Sequence, residues 1–232
     1  MIQISGLRKC FGKLEVLNSL DATIHANKIT AIVGHNGSGK TTLIKCILGL
    51  DKFDEGRISI NDYELDGDWS YRESIGYMPQ IARYPENLSA RELINMIADI
   101  RNDVAEKKDE LINYLRINDD MNKPLKTLSG GTRQKVNVIL SLMFDPELLI
   151  LDEPTAGLDP VSSSLFKDRI LEEKQKGKTI IITSHIMSEI QEMADTILYL
   201  LDGQIFFDGP VDELIKQSGE KNLERAIAKM MS

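Results

Sequence analysis

Short apolar runs dominate the first part of the chain. Residues 1–7 alternate apolar and polar as a strand does, and residues 22–26 read as a second strand. Residues 29–33 form an unbroken apolar run of the kind buried on both faces. That run ends at Gly34. From about Lys40 the period becomes helical, through Thr41, Leu43, Ile44, Ile47 and Leu48, with Gly49 as a stop. Gly56 precedes another strand candidate at 57–60. A strand, a glycine-rich turn and a helix, in that order, open a parallel α/β sheet.

From about Pro85 the pattern turns helical. Ser89 and Glu92 have capping-box spacing, followed by Leu93, Ile97 and Ile100 with Met96 beside them. A second amphipathic stretch, 106–115, carries Leu111, Ile112 and Leu115. A third begins after Gly131 and runs through Val136, Ile139, Leu140 and Met143. Residues 148–151 and 179–183 return to buried strands. The pattern therefore predicts an α/β core with a helical insertion at roughly 85–145. Asp202-Gly203-Gln204 reads as a hairpin turn, 211–217 as a short helix, and 223–231 as one more, with Leu223, Ile227 and Met230 on one side.

Composition narrows the classes. The 232 residues carry 28 Lys and Arg against 36 Asp and Glu, a net charge of −8. That balance argues against a dedicated nucleic-acid binder, so no nucleic-acid partner is expected. No apolar run nears the ~20 residues of a membrane span, and no secretion signal opens the chain. Cys10 and Cys46 fall outside any CxxC pair, and His25, His35 and His185 are too scattered to suggest zinc. Two buried thiols in a reducing compartment are expected, and the terminal Met230-Met231 pair reads as filler.

Two motifs carry chemistry. Gly34-His35-Asn36-Gly37-Ser38-Gly39-Lys40-Thr41 fits the pattern GxxxxGK[ST] between a strand and a helix. Its glycines let backbone N–H groups face a polyphosphate, and the helix adds its positive end. Lys40 can reach the outer phosphates, and the Thr41 hydroxyl can coordinate Mg²⁺. His35 reads as a spacer. The second motif, Asp152-Glu153, closes an apolar strand. Asp152 suits Mg²⁺ and Glu153 suits proton abstraction from water, with strand alternation aiming them to different sides. Together the motifs favour nucleotide hydrolysis over binding alone.

Between them lies Leu128-Ser129-Gly130-Gly131-Thr132-Arg133-Gln134, which resembles the signature of ATP-binding cassette (ABC) ATPases. Further segments resemble that family in order. Phe11 matches its adenine-stacking aromatic, Gln80 in Tyr77-Met78-Pro79-Gln80 its Q-loop, Asp159 in Gly157-Leu158-Asp159-Pro160 its D-loop, and His185 in Thr183-Ser184-His185 its switch histidine. Thr132 and Phe11 depart from the commoner Gln and Tyr; a phenyl ring still stacks. The resemblance implies an α/β P-loop NTPase of ABC type: a RecA-like core with an antiparallel β subdomain, 1–84 and 146–232, and an inserted helical subdomain at about 85–145.

Function follows from the same resemblance. It implies catalysis by Glu153, His185, Gln80 and Lys40, and Mg²⁺ held by Thr41, Gln80 and Asp152. ATP would be bound by Phe11, Gly34, Asn36, Gly37, Ser38, Gly39, Lys40, Thr41, Thr42, Ser129, Gly130, Gly131 and Asp159. It also implies a head-to-tail homodimer around ATP, a separate integral membrane permease docked near Tyr84 and Pro85, and a peripheral place on the cytoplasmic face of the inner membrane. Residues 67–72, 75–80, 83–87 and 130–135 are similar to the ATPase of copper-processing ABC complexes that serve nitrous oxide reductase. A chromosome-maintenance ATPase would need a long coiled coil between Lys40 and Ser129, which the spacing excludes, and a translation-type cassette protein would normally carry two such domains. A cassette acting mechanically on a membrane partner, or a nucleotide-binding scaffold, remains an alternative.

Overall fold

The unbroken apolar runs become the interior strands of a six-stranded sheet. The computed structural model describes residues 1–61 and 63–230. Strands β1 (Ile2–Phe11), β2 (Leu14–Ile24) and β3 (Ile29–Val33) lead into α1 (Lys40–Ile47). Next come β4 (Glu55–Ile60), β5 (Tyr63–Glu64) and β6 (Ile75–Met78), then α2 (Ala90–Arg101), α3 (Lys108–Tyr114) and α4 (Gly130–Leu142). After them run β7 (Leu148–Asp152), α5 (Pro160–Gln175), β8 (Thr179–Thr183) and α6 (Met187–Met193). The hairpin β9 (Thr196–Leu201) and β10 (Gln204–Pro210) precedes α7 (Val211–Ser218) and α8 (Leu223–Met230). Met231, included in the predicted last helix, lies outside the described residues.

The larger sheet runs β10-β9-β3-β8-β7-β6, with all neighbours parallel except the β9–β10 pair. Its inner strands β9, β3, β8 and β7 bury both faces, so alternate residues enter different cores. Ala31, Leu149, Leu151, Ile180, Ile182 and Ile197 join helices α2 to α8 in one core. Ile32, Ile150, Ile181 and Leu198 join α1 and a second, antiparallel sheet of order β2-β1-β4-β5 in the other. This two-sided burial explains why these segments read as apolar runs without alternation.

The antiparallel sheet was less legible. The strand expected at 22–26 is the last part of an eleven-residue β2. Ser19 and Gly6 sit in the left-handed region, and the β1–β2 register shifts between Ile4 and Leu7 and again before Lys9. Bulges of this kind break period-2 patterning. Gly56 lies inside β4, at φ +95°, with room for no Cβ: one would meet the Gly6 carbonyl oxygen at 2.5 Å. Cys10 is half-exposed, unlike the buried Cys46, because it sits near the open end of β1.

Helix ends follow local chemistry. Ser89 and Glu92 form the reciprocal capping box at α2. Helix α3 is shorter than the 106–115 stretch, and α4 starts two residues earlier than expected because Ser129 caps it. The Asp202-Gly203 turn joins Leu201 to Gln204 with both turn residues left-handed, as a two-residue hairpin requires.

A charged cluster ties α3 to α5 at the far edge of the sheet. Arg169 bonds Glu110 and pairs with the fully buried Glu173 at 3.0 Å. Lys178 pairs with Glu173 at 2.6 Å and also with Asp145, which Lys107 reaches at 2.5 Å. Burial opposes ionisation of Asp145, but hydrogen bonds from Lys107 and Lys178 outweigh it and bring the carboxyl down to about 2. A carboxyl lowered in the folded state adds stability above its unfolded pKa and loses it as the pH falls through the folded one. Urea midpoints will therefore fall between about pH 4 and pH 2. Asp145→Asn will be less stable than wild type at pH 6 and will lose less on acidification through that window.

Candidate active site

The site is built where strands β3, β8 and β7 end side by side. β3 runs into the glycine loop at Gly34, where an added Cβ would lie 2.2 Å from the Leu200 carbonyl oxygen and 2.5 Å from Ser38 Oγ. Only glycine fits. Gly39, at φ +107°, delivers the chain into α1, whose first turn, Lys40-Thr41-Thr42, is free of carboxylates. The exposed N–H end of α1 is thus available to an anion.

Lys40 folds back over its own loop, and its ammonium donates to the carbonyls of Gly34 at 2.7 Å and His35 at 3.0 Å. One of its three donors remains for a ligand. Burial lowers its pKa, against the attraction of Glu153 and Asp152. The far end of α1 is fastened as well. Tyr71 donates to the Ile47 carbonyl at 3.1 Å, and Arg72 donates to those of Leu48 and Gly49 at 2.8 and 2.7 Å, with Trp69 packed on its guanidinium. A cation there complements the helix dipole and fixes the axis that points at the loop.

The acids come from β7, in register with β8 so that Asp152 pairs with Thr183. The Thr183 hydroxyl donates to Asp152 Oδ1 at 2.5 Å and accepts the Glu153 N–H at 3.0 Å. Burial pushes the Asp152 carboxyl up, with the Thr183 hydroxyl working against it. Glu153 turns into the left-handed region at φ +51°. That turn corrects the expectation from strand alternation: the strand stops at Asp152, and both acids line one cleft. Glu153 Oε1 lies 2.7 Å from His185 Nε2.

This cleft, of about 360 Å³, brings together Phe11, Asn36, Gly37, Gly39, Lys40, Thr41, Thr42, Gln80, Asp152, Glu153 and His185. Leu14 and Val16 extend it with an apolar shelf beside Phe11, a pair that sequence reasoning missed. The exposed Leu14, beyond the turn at Gly12, was the available signal. Gly34 and Ser38 lie beneath the loop and shape it instead of facing the cleft. His35 contacts Asp202 at 3.2 Å.

Ser129, Gly130, Gly131 and Asp159 lie outside the cleft. The Ser129 hydroxyl caps α4 by accepting the Thr132 N–H at 3.1 Å. The Asp159 carboxylate caps α5 by accepting from the N–H groups of Val161 and Ser162, and the Ser162 hydroxyl holds it below the usual carboxylate range. An added Cβ on Gly131 would lie 3.3 Å from the Gly157 carbonyl oxygen, so the two segments are neighbours on a second surface. That surface is joined to the cleft through Gln134, whose amide donates to the Pro154 carbonyl at 2.9 Å.

The residues fit a nucleoside triphosphate with a divalent cation. They supply a cradle that any side chain would fill, a helix N-terminus, one ammonium and the Thr41 hydroxyl. They add a buried carboxylate whose charged form a cation would favour.

Comparisons agree with this chemistry. The family model described as "ABC transporter" matches residues 17–156. The chain is 33% identical over 226 residues to the lantibiotic transport ATP-binding protein SrtF of Streptococcus pyogenes, covering 97% of this chain and 94% of that protein. It is 30% identical to the linearmycin resistance ATP-binding protein LnrL of Bacillus subtilis (strain 168), covering 94% and 72% respectively. Among solved structures, the ATP binding subunit of an ABC transporter superposes with a TM-score of 0.92 at 28% identity over the whole of both chains.

Thr183→Val removes the hydroxyl that serves both acids while keeping the side-chain shape. Bonds to charged groups are worth about 1.5–3 kcal/mol, so ATP turnover will fall about ten- to a hundredfold. Thr183→Ser, which keeps the hydroxyl, will retain most of the rate in a steady-state phosphate-release assay.

Proposed function

The chain belongs to the ABC transporter family, and we propose that it is the ATP-driven engine of a membrane transporter whose permease is a separate chain. It is an ATP hydrolase that works with Mg²⁺. The observation that carries the fuller reading is the cleft that gathers Lys40, Gln80, Asp152, Glu153 and His185 while Ser129–Gly131 stays outside it.

In this reading Phe11 stacks on the base, and the loop amides of Asn36, Gly37 and Gly39 receive the phosphates along with Lys40, Thr41 and Thr42. Thr41, Gln80 and Asp152 would hold Mg²⁺, which would supply neutralisation of phosphate charge. Glu153 takes a proton from the attacking water, and His185, 2.7 Å away, holds that carboxylate in place. Phosphoryl transfer needs positioning and charge stabilisation more than covalent chemistry, so a site left incomplete in one copy can gate turnover. A second copy, packed head to tail, presents Ser129, Gly130, Gly131 and the Asp159 segment to the γ-phosphate. Their position outside the cleft supports that arrangement.

A groove of about 370 Å³ beside the Q-loop is lined by Ala82, Arg83, Tyr84, Glu86, Leu125, Arg133, Val136 and Asn137. We assign it to the permease. Residues 85–145 then act as one unit against the core of 1–84 and 146–232, with the Gln134 contact carrying motion to the acids. Among the described residues no helix is long and apolar enough to cross a membrane. The proposed place of the chain is peripheral, on the cytoplasmic face beside such a permease. Copper processing for nitrous oxide reductase is the narrower reading, supported only by the likeness of residues 67–72, 75–80, 83–87 and 130–135. The relatives compared are named for a lantibiotic and for linearmycin. Among the described residues no group of three His, Cys, Asp or Glu could hold a metal ion, so cargo choice is assigned to the partner chains.

Two outcomes test the engine. Glu153→Gln will lower ATP turnover at least about a hundredfold while retaining ATP binding, and will shift the protein to a dimer on size exclusion with ATP. Wild-type turnover no faster than that of the variant would instead support a scaffold. Charge reversal at Arg83 or Glu86 will leave ATPase activity of the isolated chain within about twofold but abolish its co-purification with the permease, since rim charges act on docking. Unchanged co-purification would remove the groove from the proposal.

A further inference from the structure

The aromatic shelf of the cleft has a support that neither the motifs nor the family comparison assigns. Phe11 ends β1 with its ring half-exposed, and Lys9 precedes it by two positions, on the same side of the strand. The Lys9 ammonium lies 4.8 Å from the centroid of the Phe11 ring. The same ammonium donates to the Lys52 carbonyl at 2.6 Å, so its position is fixed from the loop that follows α1. Phe11 lines the cleft, and Lys9, which touches its ring, does not.

The strand around Lys9 is anchored to that same loop. The Cys10 N–H donates to Asp54 Oδ2 at 2.6 Å, and the Asp54 N–H donates to the Arg8 carbonyl at 2.9 Å. Arg8 in turn pairs with Glu15 at 2.6 Å and Glu55 at 3.0 Å, leaving Lys9 as the cation on the ring. The loop begins where α1 ends, so the shelf is tied to the chain that follows the helix opening at the phosphate cradle.

We propose that Lys9 is a positioning residue of the nucleotide site: fixed by the Lys52 carbonyl, its ammonium holds the Phe11 ring by a cation–π contact and presents the opposite face to the purine base. This rests on Phe11 being the base-stacking residue. Two physical effects follow. A phenyl ring has no hydroxyl to fix its rotation, so the cation supplies the missing anchor. A cation behind the ring also draws electron density toward itself, which favours an electron-rich base on the free face. The contact acts on the base and leaves the phosphates to the loop.

Isothermal titration with ATP and with inorganic tripolyphosphate separates these contributions. Lys9→Met will weaken ATP binding about two- to fivefold, the worth of an exposed cation–π contact, and leave tripolyphosphate binding unchanged. Lys9→Arg, which keeps a cation, will restore ATP binding. In the Phe11→Ala background, Lys9→Met will have no further effect. Equal weakening of ATP and tripolyphosphate, or an undiminished Lys9 effect without the ring, would overturn the proposal. Phe11→Ala binding ATP as tightly as wild type would instead overturn the base-stacking role on which it rests.

Discussion

The site depends on the place of β8 between β3 and β7 in one parallel sheet. β3 carries the phosphate loop, β7 carries the acids, and β8 sets the spacing between them. Parallel pairing puts all three carboxyl ends at one edge, where α/β sheets open a crevice for ligands. The register then aligns Thr183 with Asp152, and one hydroxyl serves both a side-chain carboxylate and the next backbone N–H. A slip of one residue would reverse every side chain on β8 and leave both groups unpaired in a buried place. The geometry of the chemistry is therefore set by the same hydrogen bonds that hold the core.

Two buried carboxylates, Glu173 and Asp152, are shifted in opposite directions by their surroundings. Glu173 is fully buried, yet Lys176 and Lys178, with Lys107 nearby, overcome the burial cost and hold it below its ordinary range. Asp152 is also buried, but Thr183 gives it only one hydroxyl and Lys40 is engaged with its own loop, so burial prevails and the carboxyl is pushed up. The protein satisfies the first charge itself and leaves the second uncompensated, so that a cation beside it would favour its charged form. This is also why a chain of net charge −8 can serve a polyanion: the decisive charges are local.

Legibility in the sequence tracked the range of the interactions. The phosphate loop, the Ser89 capping box and the Asp202-Gly203 turn are local, so residue type and spacing were enough to find them. The two-sided burial of β3, β7 and β8 also left a clear mark as apolar runs. The bulges at Gly6 and Ser19 did not, because a left-handed residue shifts the register without changing composition. Thr183 looked like one more β-branched strand residue, since its role arises only from pairing with a strand far away in sequence. The turn at Glu153 defeated alternation for a related reason: the backbone leaves the strand after Asp152 and enters the left-handed region at Glu153.

The caps on α4 and α5 show how the fold joins stability to control. Ser129 and Asp159 each use their side chain on the N-terminus of their own helix, which holds the adjoining glycine-rich backbone in a defined shape on the protein's second surface. One face of α4 is buried in the core, so the helix is loaded as a rigid body. Gln134, one turn into it, is bonded to the Pro154 carbonyl and braced by Asn137 at 3.2 Å. Beyond that, Thr155 donates to Glu189 at 2.7 Å, which ties the same loop to α6, the helix that follows His185. A load at the Ser129 end of α4 is thus applied to the short loop that carries Glu153 and is braced from the histidine side. A contact made outside the cleft can alter the alignment of the acid inside it with no change in the phosphate loop, because that loop is held separately by β3 and by the fastened end of α1.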